Sequence, residues 1–297
     1  RDWAEHWNDG NEAVTTYAVA PDNSWAQQTA PDGTMYKEFF NISGWRTGLT
    51  SATEVWSGGV RRKWTTVDWT QDDINLSYQK NPRVIETNVR DEANNRRRVV
   101  VDYYDASAFN LPSDIKEYAA NGTTLLRRTH TDYQLYSAYT DRRIIGLVFA
   151  QLVYDGAGAL QAKTRYHHDW GAPFLEERAG AVQHDDTNYG IGFVVGRANL
   201  VLIERWDVNY PDDTARVLTT KFGYNTTGSM IFTGDGLWHR TDFTYTDSFS
   251  VSQNHNTFAY PTSTTDPDSF TSTVQYNYDF GGVTRSQDPK GAVQTVI

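Results

Sequence analysis

Apolar and polar residues alternate with a period of two along much of this chain. Thr271-Ser272-Thr273-Val274-Gln275-Tyr276-Asn277-Tyr278 and Arg240-Thr241-Asp242-Phe243-Thr244-Tyr245 are two such runs. A period of two places one set of side chains on each face of a strand. The longest apolar run, Ile144 to Ala150, is also strand-sized. Between the runs lies turn chemistry: Asp or Asn followed within a few residues by Gly. The carboxylate or amide bonds nearby backbone N–H groups, and Gly accepts positive φ. The pattern predicts an all-β protein, a long antiparallel sheet of consecutive β-hairpins.

The turns repeat. Tyr278-Asp279 is followed by Gly281-Gly282, an alternating stretch, and then Asp288-Pro289-Lys290-Gly291. Thr265-Asp266-Pro267-Asp268 stands before that pair. Tyr154-Asp155-Gly156-Ala157-Gly158 is the clearest copy, and Tyr104-Asp105 opens another. Tyr224-Asn225-Thr226-Thr227-Gly228 has Asn in the Asp place. Arg90-Asp91-Glu92-Ala93-Asn94 is a degenerate copy with Arg in the Tyr place. Asp-Pro-x-Gly reads as a second kind of turn, with Pro fixing φ at its first central position. Each Tyr would add a flat side chain for cross-strand packing. If Tyr154 and Tyr278 are buried anchors, removing either should cost about 3–5 kcal/mol.

This Tyr-Asp-x-x-Gly and Asp-Pro-x-Gly alternation resembles the YD repeat of the RHS (rearrangement hot spot) family. It is clearest at Tyr154–Leu160 and Tyr276–Gly291 and extends over residues 84–297. Gly236-Leu237-Trp238 and Asp268-Ser269 depart from the pattern, and the stretch from Asp169 to Asp186 interrupts the spacing. The resemblance implies a spiralling β-sheet that forms a hollow shell, or a section of one. It implies a bacterial protein, secreted or at the cell surface, in which the shell encloses or scaffolds a toxin or surface-effector domain. The expected partners are flanking parts of the parent polypeptide or further copies of the chain. The chain begins with Arg1 and stops within repeats, so it is expected to be a processed product or a portion of something longer.

Residues 1–83 lack clear copies and carry seven of the ten Trp. They read as a Trp-rich β region of the same sheet, eroded in sequence; a separate small β domain is the alternative. Exposed Trp on a β surface stacks against sugar rings. Trp3, Trp7, Trp25 and Trp45 are therefore candidate ligand-binding residues, and an extracellular carbohydrate-binding or adhesion module is an alternative function.

Composition sharpens this reading. Aromatic residues make up 14% of the chain, and Thr, Val and Tyr are abundant, which favours strands. The net charge is −10, which argues against a nucleic-acid partner. Arg61-Arg62-Lys63 and Arg96-Arg97-Arg98 are the densest basic runs and read as solvated strand faces. There is no cysteine, so disulfides and thiolate metal sites are excluded. No apolar run is long enough to span a bilayer as a helix.

Catalytic and metal chemistry find little purchase. His167-His168-Asp169 and His184-Asp185-Asp186 are the tight His/Asp clusters, yet adjacent histidines on a strand point to opposite faces. Asp266-Pro267-Asp268 and Asp212-Asp213 lack the oxygen-ligand spacing of an EF-hand. Glu204 with Asp207, or Glu176 with Glu177, would suit a glycoside hydrolase only if paired across a cleft. Gly190-Ile191-Gly192 through Gly196 lacks the strand–helix context of a nucleotide loop. The expectation is a structural protein with no catalytic residue, metal or cofactor, and a glycoside hydrolase-like enzyme is the remaining alternative.

Overall fold

The computed structural model describes residues 3–6, 12–250, 255–277 and 279–296. It is all-β, as the alternation predicts. Two four-residue α-helices, α1 (Ser137–Thr140) and α2 (Asp186–Tyr189), are the α-helical elements among the described residues. The chain divides into two compact units, residues 1–131 with 153–161 and residues 132–152 with 162–297.

The first unit carries β1 (Trp3–His6), β2 (Glu12–Val19), β3 (Trp25–Thr29), β4 (Met35–Phe40), β5 (Thr50–Ser57) and β6 (Val60–Thr70). It continues with β7 (Arg83–Asp91), β8 (Arg96–Tyr103), β9 (Pro112–Tyr118) and most of β10 (Leu125–Tyr133). Each strand pairs antiparallel with its neighbour in sequence. Residues 1–83 and the following repeats share this ladder: β6 and β7 pair from Lys63↔Asp91 to Thr70↔Arg83, on either side of residues 71–82.

Register fixes what each face presents. One row runs Gln27, Lys37, Glu54, Trp64, Arg90 and Arg96. The next row on that face runs Trp25, Phe39, Ala52, Thr66, Asn88, Arg98 and Tyr118. Cations cover the aromatic rings across strands. Lys37 sits 4.0 Å from the Trp25 ring, Arg61 4.6 Å from Trp64, and Arg98 4.6 Å from Tyr118. Such contacts contribute about 0.5–2 kcal/mol each. Little in this unit is fully buried. Among its described residues only Ala20, Gln71, Ala108, Ser113 and Gly122 are. It is a single layer, unlike the two-layer packing of an ordinary domain.

The second unit continues from β11 (Val148–Asp155) and β12 (Leu160–His168), which span both units, to β13 (Leu175–Glu176), β14 (Leu200–Trp206), β15 (Val217–Asn225), β16 (Met230–Asp235) and β17 (Arg240–Thr244). β18 (Ser263–Thr265), β19 (Thr271–Tyr276), β20 (Val283–Gln287) and β21 (Val293–Thr295) complete it. Strands β12, β14 and onward to β21 pair antiparallel in order. The two-residue β13 lies parallel to the end of β15.

This unit has a packed core of Phe174, Val201, Leu202, Ile231 and Phe232, with Tyr224 against it. Phe174 comes from the 169–199 connection, so that segment folds down onto the sheet rather than away from it. Gly223 is opposite Phe232, and a Cβ on it would lie 2.0 Å from the ring. Glycine there admits the phenylalanine.

Candidate functional site

The repeated motif forms one turn, used many times. At Asp155 the backbone N–H donates to Ala159 O (3.0 Å), and Gly158 N donates back to Asp155 O (3.1 Å). Gly158 takes φ +90°. The Asp155 carboxylate accepts from Ala157 N and Ala159 N at 3.0 and 2.9 Å. This is a three-residue hairpin loop, a type I turn closed by a left-handed residue. Asn225 and Asp288 build the same turn, with Gly228 (φ +88°) and Gly291 (φ +89°) in the left-handed place. Pro289 supplies the first central φ. The Tyr-Asp-x-x-Gly and Asp-Pro-x-Gly motifs are thus a single turn class rather than two.

Less obvious copies use it as well. Asp91, Asp235 and Asp266 make the same pair of backbone bonds. Asn94, Trp238 and Ser269 take the left-handed place at φ +62°, +67° and +69°. Reading for a glycine there misses the last two. Their signal is the Asp and its spacing to the next alternating run.

Two copies differ from the sequence reading. Asp105 caps a 3-10 turn, Ala106–Ala108, by accepting from Ser107 N at 2.9 Å, inside a wider loop closed by Tyr104 N to Leu111 O. In the β19–β20 hairpin the turn starts at Asn277, one pair before the Tyr278-Asp279 read from the sequence. Asn277 N donates to Gly282 O (2.8 Å), and Asp279 N donates to the Asn277 side chain (2.8 Å). Gly281, at φ +70°, holds the left-handed position, and Gly282 follows it. Tyr278 lies outside the described residues.

The tyrosine preceding the turn is half-buried in each described copy. Arg128 stacks over Tyr154 at 4.3 Å. Tyr224 packs on the core, and burial pushes its phenol up from the ordinary tyrosine value. Tyr276 stacks on Tyr260 at 4.8 Å and donates to Pro261 O. The Tyr104 hydroxyl donates to Thr131 O at 3.2 Å.

The two candidate sugar-stacking tryptophans whose side chains are described, Trp25 and Trp45, sit on different elements. Trp25 is half-buried on β3 under Lys37, and Trp45 lies in the connection after β4 with Arg46 4.9 Å from its ring. Trp3 belongs to β1, and Trp7 lies outside the described residues.

In the second unit, sequence reading missed the residues that hold the 169–199 segment. Asp169 is 5% exposed. Its Oδ2 accepts from Gly196, Arg197 and Ala198 N, each at 2.9 Å, and its Oδ1 accepts from Asn199 N at 2.7 Å. Arg197 is the counterpart. Its guanidinium donates to the carbonyls of Phe193 (2.6 Å), Thr226 (2.8 Å), Gly190 (2.9 Å) and Tyr189. One carboxylate collects a loop's N–H groups, and one guanidinium collects three of its carbonyls and one from the turn between β15 and β16.

The neighbouring histidines diverge. His167 reaches Glu204 at 3.1 Å, whereas burial holds His168 below the ordinary imidazole value, with Asp169 opposing and His167 reinforcing the shift. Among the described residues, no group of three His, Asp or Glu is placed to hold a metal ion.

No protein-family model matches the chain, and no curated protein matches it. Solved structures do. A crystal structure of TcdB2-TccC3-TEV overlaps 97% of this chain with a TM-score of 0.62 at 10% identity, and this covers 21% of that chain. A crystal structure of TcdB2-TccC3 overlaps 97% with a TM-score of 0.59 at 9% identity, again covering 21% of that chain. At such identity the overlap shows the fold, which is the one implied by the RHS resemblance.

Proposed function

We propose that this chain is a structural section of an exported RHS/YD-repeat protein, wall material for a β-shell that encloses or scaffolds another domain. One observation carries the reading. The first unit is a ladder of sequential antiparallel strands in which the described residues bury nothing bulkier than Gln71. Such a layer separates two spaces rather than enclosing a pocket within itself. The likeness to TcdB2-TccC3, of which this chain overlaps about a fifth, supports a role as one stretch of a larger assembly. Its partners would be flanking sheet from the parent polypeptide or a second copy. The aromatic rings of Trp25 and Trp45 are already stacked by cations, so they support a glycan site poorly.

Protease protection tests this. In the parent polypeptide, an enclosed domain should survive proteinase K while the repeat region is intact. It should be digested when Asp155, Asn225 and Asp288 are all changed to Ala. Equal digestion of both forms would remove the encapsulation reading. Hydrolysis of a glycoside by the purified chain, abolished by one Asp or Glu substitution that leaves the fold intact, would replace it with an enzyme.

A further inference from the structure

The basic run Arg96-Arg97-Arg98 is divided by the strand's alternation. Arg97 goes to one face and meets Glu117 at 3.1 Å. Arg96 and Arg98 go to the other, beside Asn88 and Arg90. Arg90 and Arg96 are direct cross-strand partners. A like-charge pair in that position is destabilising unless something neutralises it.

The nearby carboxylates do not suffice. Glu86 accepts from Arg98 Nη2 at 2.7 Å and from Asn88 Nδ2 at 2.6 Å. Arg96 comes only within 3.9 Å of it, and its Nε donates to Asn88 Oδ1 at 2.7 Å. The Arg90 side chain makes no hydrogen bond or ion pair among the described residues; its guanidinium lies 5.3 Å from the Trp64 ring. Arg61, over the same ring, is matched by Glu54 at 2.8 Å. Glu92 is held by Arg62, whereas Asp91 bonds the neutral Asn95 and keeps its charge, one residue on from Arg90 and so on the strand's other face. On this face three guanidinium groups of adjacent strands therefore share one carboxylate, an excess of two positive charges on the face.

Between them is a cavity of about 70 Å³ lined by Trp64, Thr66, Asn88, Arg90 and Arg96. That is room for a few waters or one tetrahedral oxyanion. Its uncommitted polar groups are donors, the Arg90 guanidinium and the Thr66 hydroxyl; the Arg96 guanidinium, which packs against Gly122, lines the cavity and adds its positive charge. The Asn88 amide is already spent, one end on Glu86 and the other on Arg96.

We propose that this cavity binds a dianionic phosphate group, free or as a monoester. A phosphate monoester carries a charge of about −2 near neutral pH, which balances the excess. Guanidinium groups pair with such oxygens through charge-assisted, often bidentate, hydrogen bonds. The Trp64 ring forms one wall and keeps the two charges from being dissolved in bulk water.

Calorimetric titration of the full chain at fixed ionic strength tests the site, with inorganic phosphate and glucose 6-phosphate as probes and chloride and glucuronate as controls. The expected result is saturable one-site binding of phosphate, at least tenfold weaker in Arg90→Gln and in Thr66→Val. Lys290→Gln, at a distant turn, should leave it unchanged. Tighter binding of glucose 6-phosphate than of phosphate would identify an ester as the ligand, and equal binding would identify the free ion. Heats indistinguishable from chloride, equal binding by Arg90→Gln, or glucuronate binding as tightly as phosphate would each overturn the proposal. Because Arg90 holds no other group, Arg90→Gln should melt within a few degrees of the parent; should it not fold, Thr66→Val decides.

Discussion

Replacing Asp169 should unfasten the 169–199 segment. The carboxylate is buried and accepts four backbone N–H groups. Asp169→Asn keeps the shape but puts an amide N–H where an acceptor stood. If the amide oxygen keeps the three contacts of Oδ2, the Nδ2 group is set against the Asn199 N–H, and the remaining bonds lose their charge assistance. That costs about 2–4 kcal/mol. Asp169→Ala orphans all four donors. At about 1–3 kcal/mol per unsatisfied buried group, and with water entering as the segment loosens, a loss of about 3–5 kcal/mol is expected. Urea unfolding followed by tryptophan fluorescence reads the loss, and Trp170 stands beside the site. Hydrogen exchange at Gly196 to Asn199 localises it: these amides should lose protection while the turn at Asp288 keeps its own. A change below about 0.5 kcal/mol with exchange unaltered would show that the segment is held by Phe174 packing and Arg197 without it, and the fastening role of Asp169 would be wrong.

Other expectations concern the repeat and the histidines. Gly158→Val forces a β-branched residue to φ +90° and should cost about 2–3 kcal/mol by denaturant titration, whereas Gly192→Val should cost under about 1 kcal/mol. Tyr154→Ala should cost about 1–2 kcal/mol, not the 3–5 of a buried anchor, because the ring is half-buried under Arg128; a loss above about 3 would show that this packing is underrated. Gly223→Ala drives a methyl into Phe232 and should broaden the unfolding transition of the second unit or lower its midpoint. His168 is held below its ordinary value of 6.5 by burial. Its neutral form is favoured by the fold, so stability is full above that value and falls as pH drops through it toward the lower folded value. His168→Gln should flatten the stability profile in that window, and an unchanged profile would place the loss on another group.

The sequence carried the hairpins because its two signals are local. Period-two alternation sets the faces, and an Asp or Asn three residues before a left-handed position sets the turns at Asp91, Asp155, Asn225, Asp235, Asp266 and Asp288. Proline and glycine only make that turn easier, which is why Asp235 and Asp266 form it with Trp238 and Ser269 in the demanding place. The shift from Tyr278-Asp279 to Tyr276-Asn277 follows from the same chemistry, since Asn and Asp compete for the turn and backbone register decides between them. The turn also survives at Ala30 in the Trp-rich region. There Ala30 N donates to Thr34 O, Gly33 N donates to Ala30 O, and Asp32 accepts from Thr34 N two residues further on. What could not be read were pairings across long separations. Asp169 meets residues 196–199 and Arg197 meets Thr226, and no spacing rule announces either. The Arg90–Arg96 cavity lay in plain view as two basic stretches, but only the register puts them on one face.

Those faces also explain how a single layer stays ordered with so little buried. A strand row such as Lys37, Glu54 and Trp64 is satisfied sideways, by the neighbouring strand, and not by a second layer above it. Lys37 covers Trp25, Glu54 takes Arg61, and the long side-chain stems shield the backbone hydrogen bonds beneath them. Such stabilisation is proportional to the number of paired strands and needs no closed core, so the ladder can be lengthened hairpin by hairpin. The second unit departs from this economy. There Phe174 and the Asp169 and Arg197 fastenings build a conventional packed nucleus on the same kind of sheet. Disruption should therefore differ in kind between the units. Removing a cation from the first unit should loosen one strand pair locally, while removing Asp169 should release a whole segment and the aromatic cluster it carries.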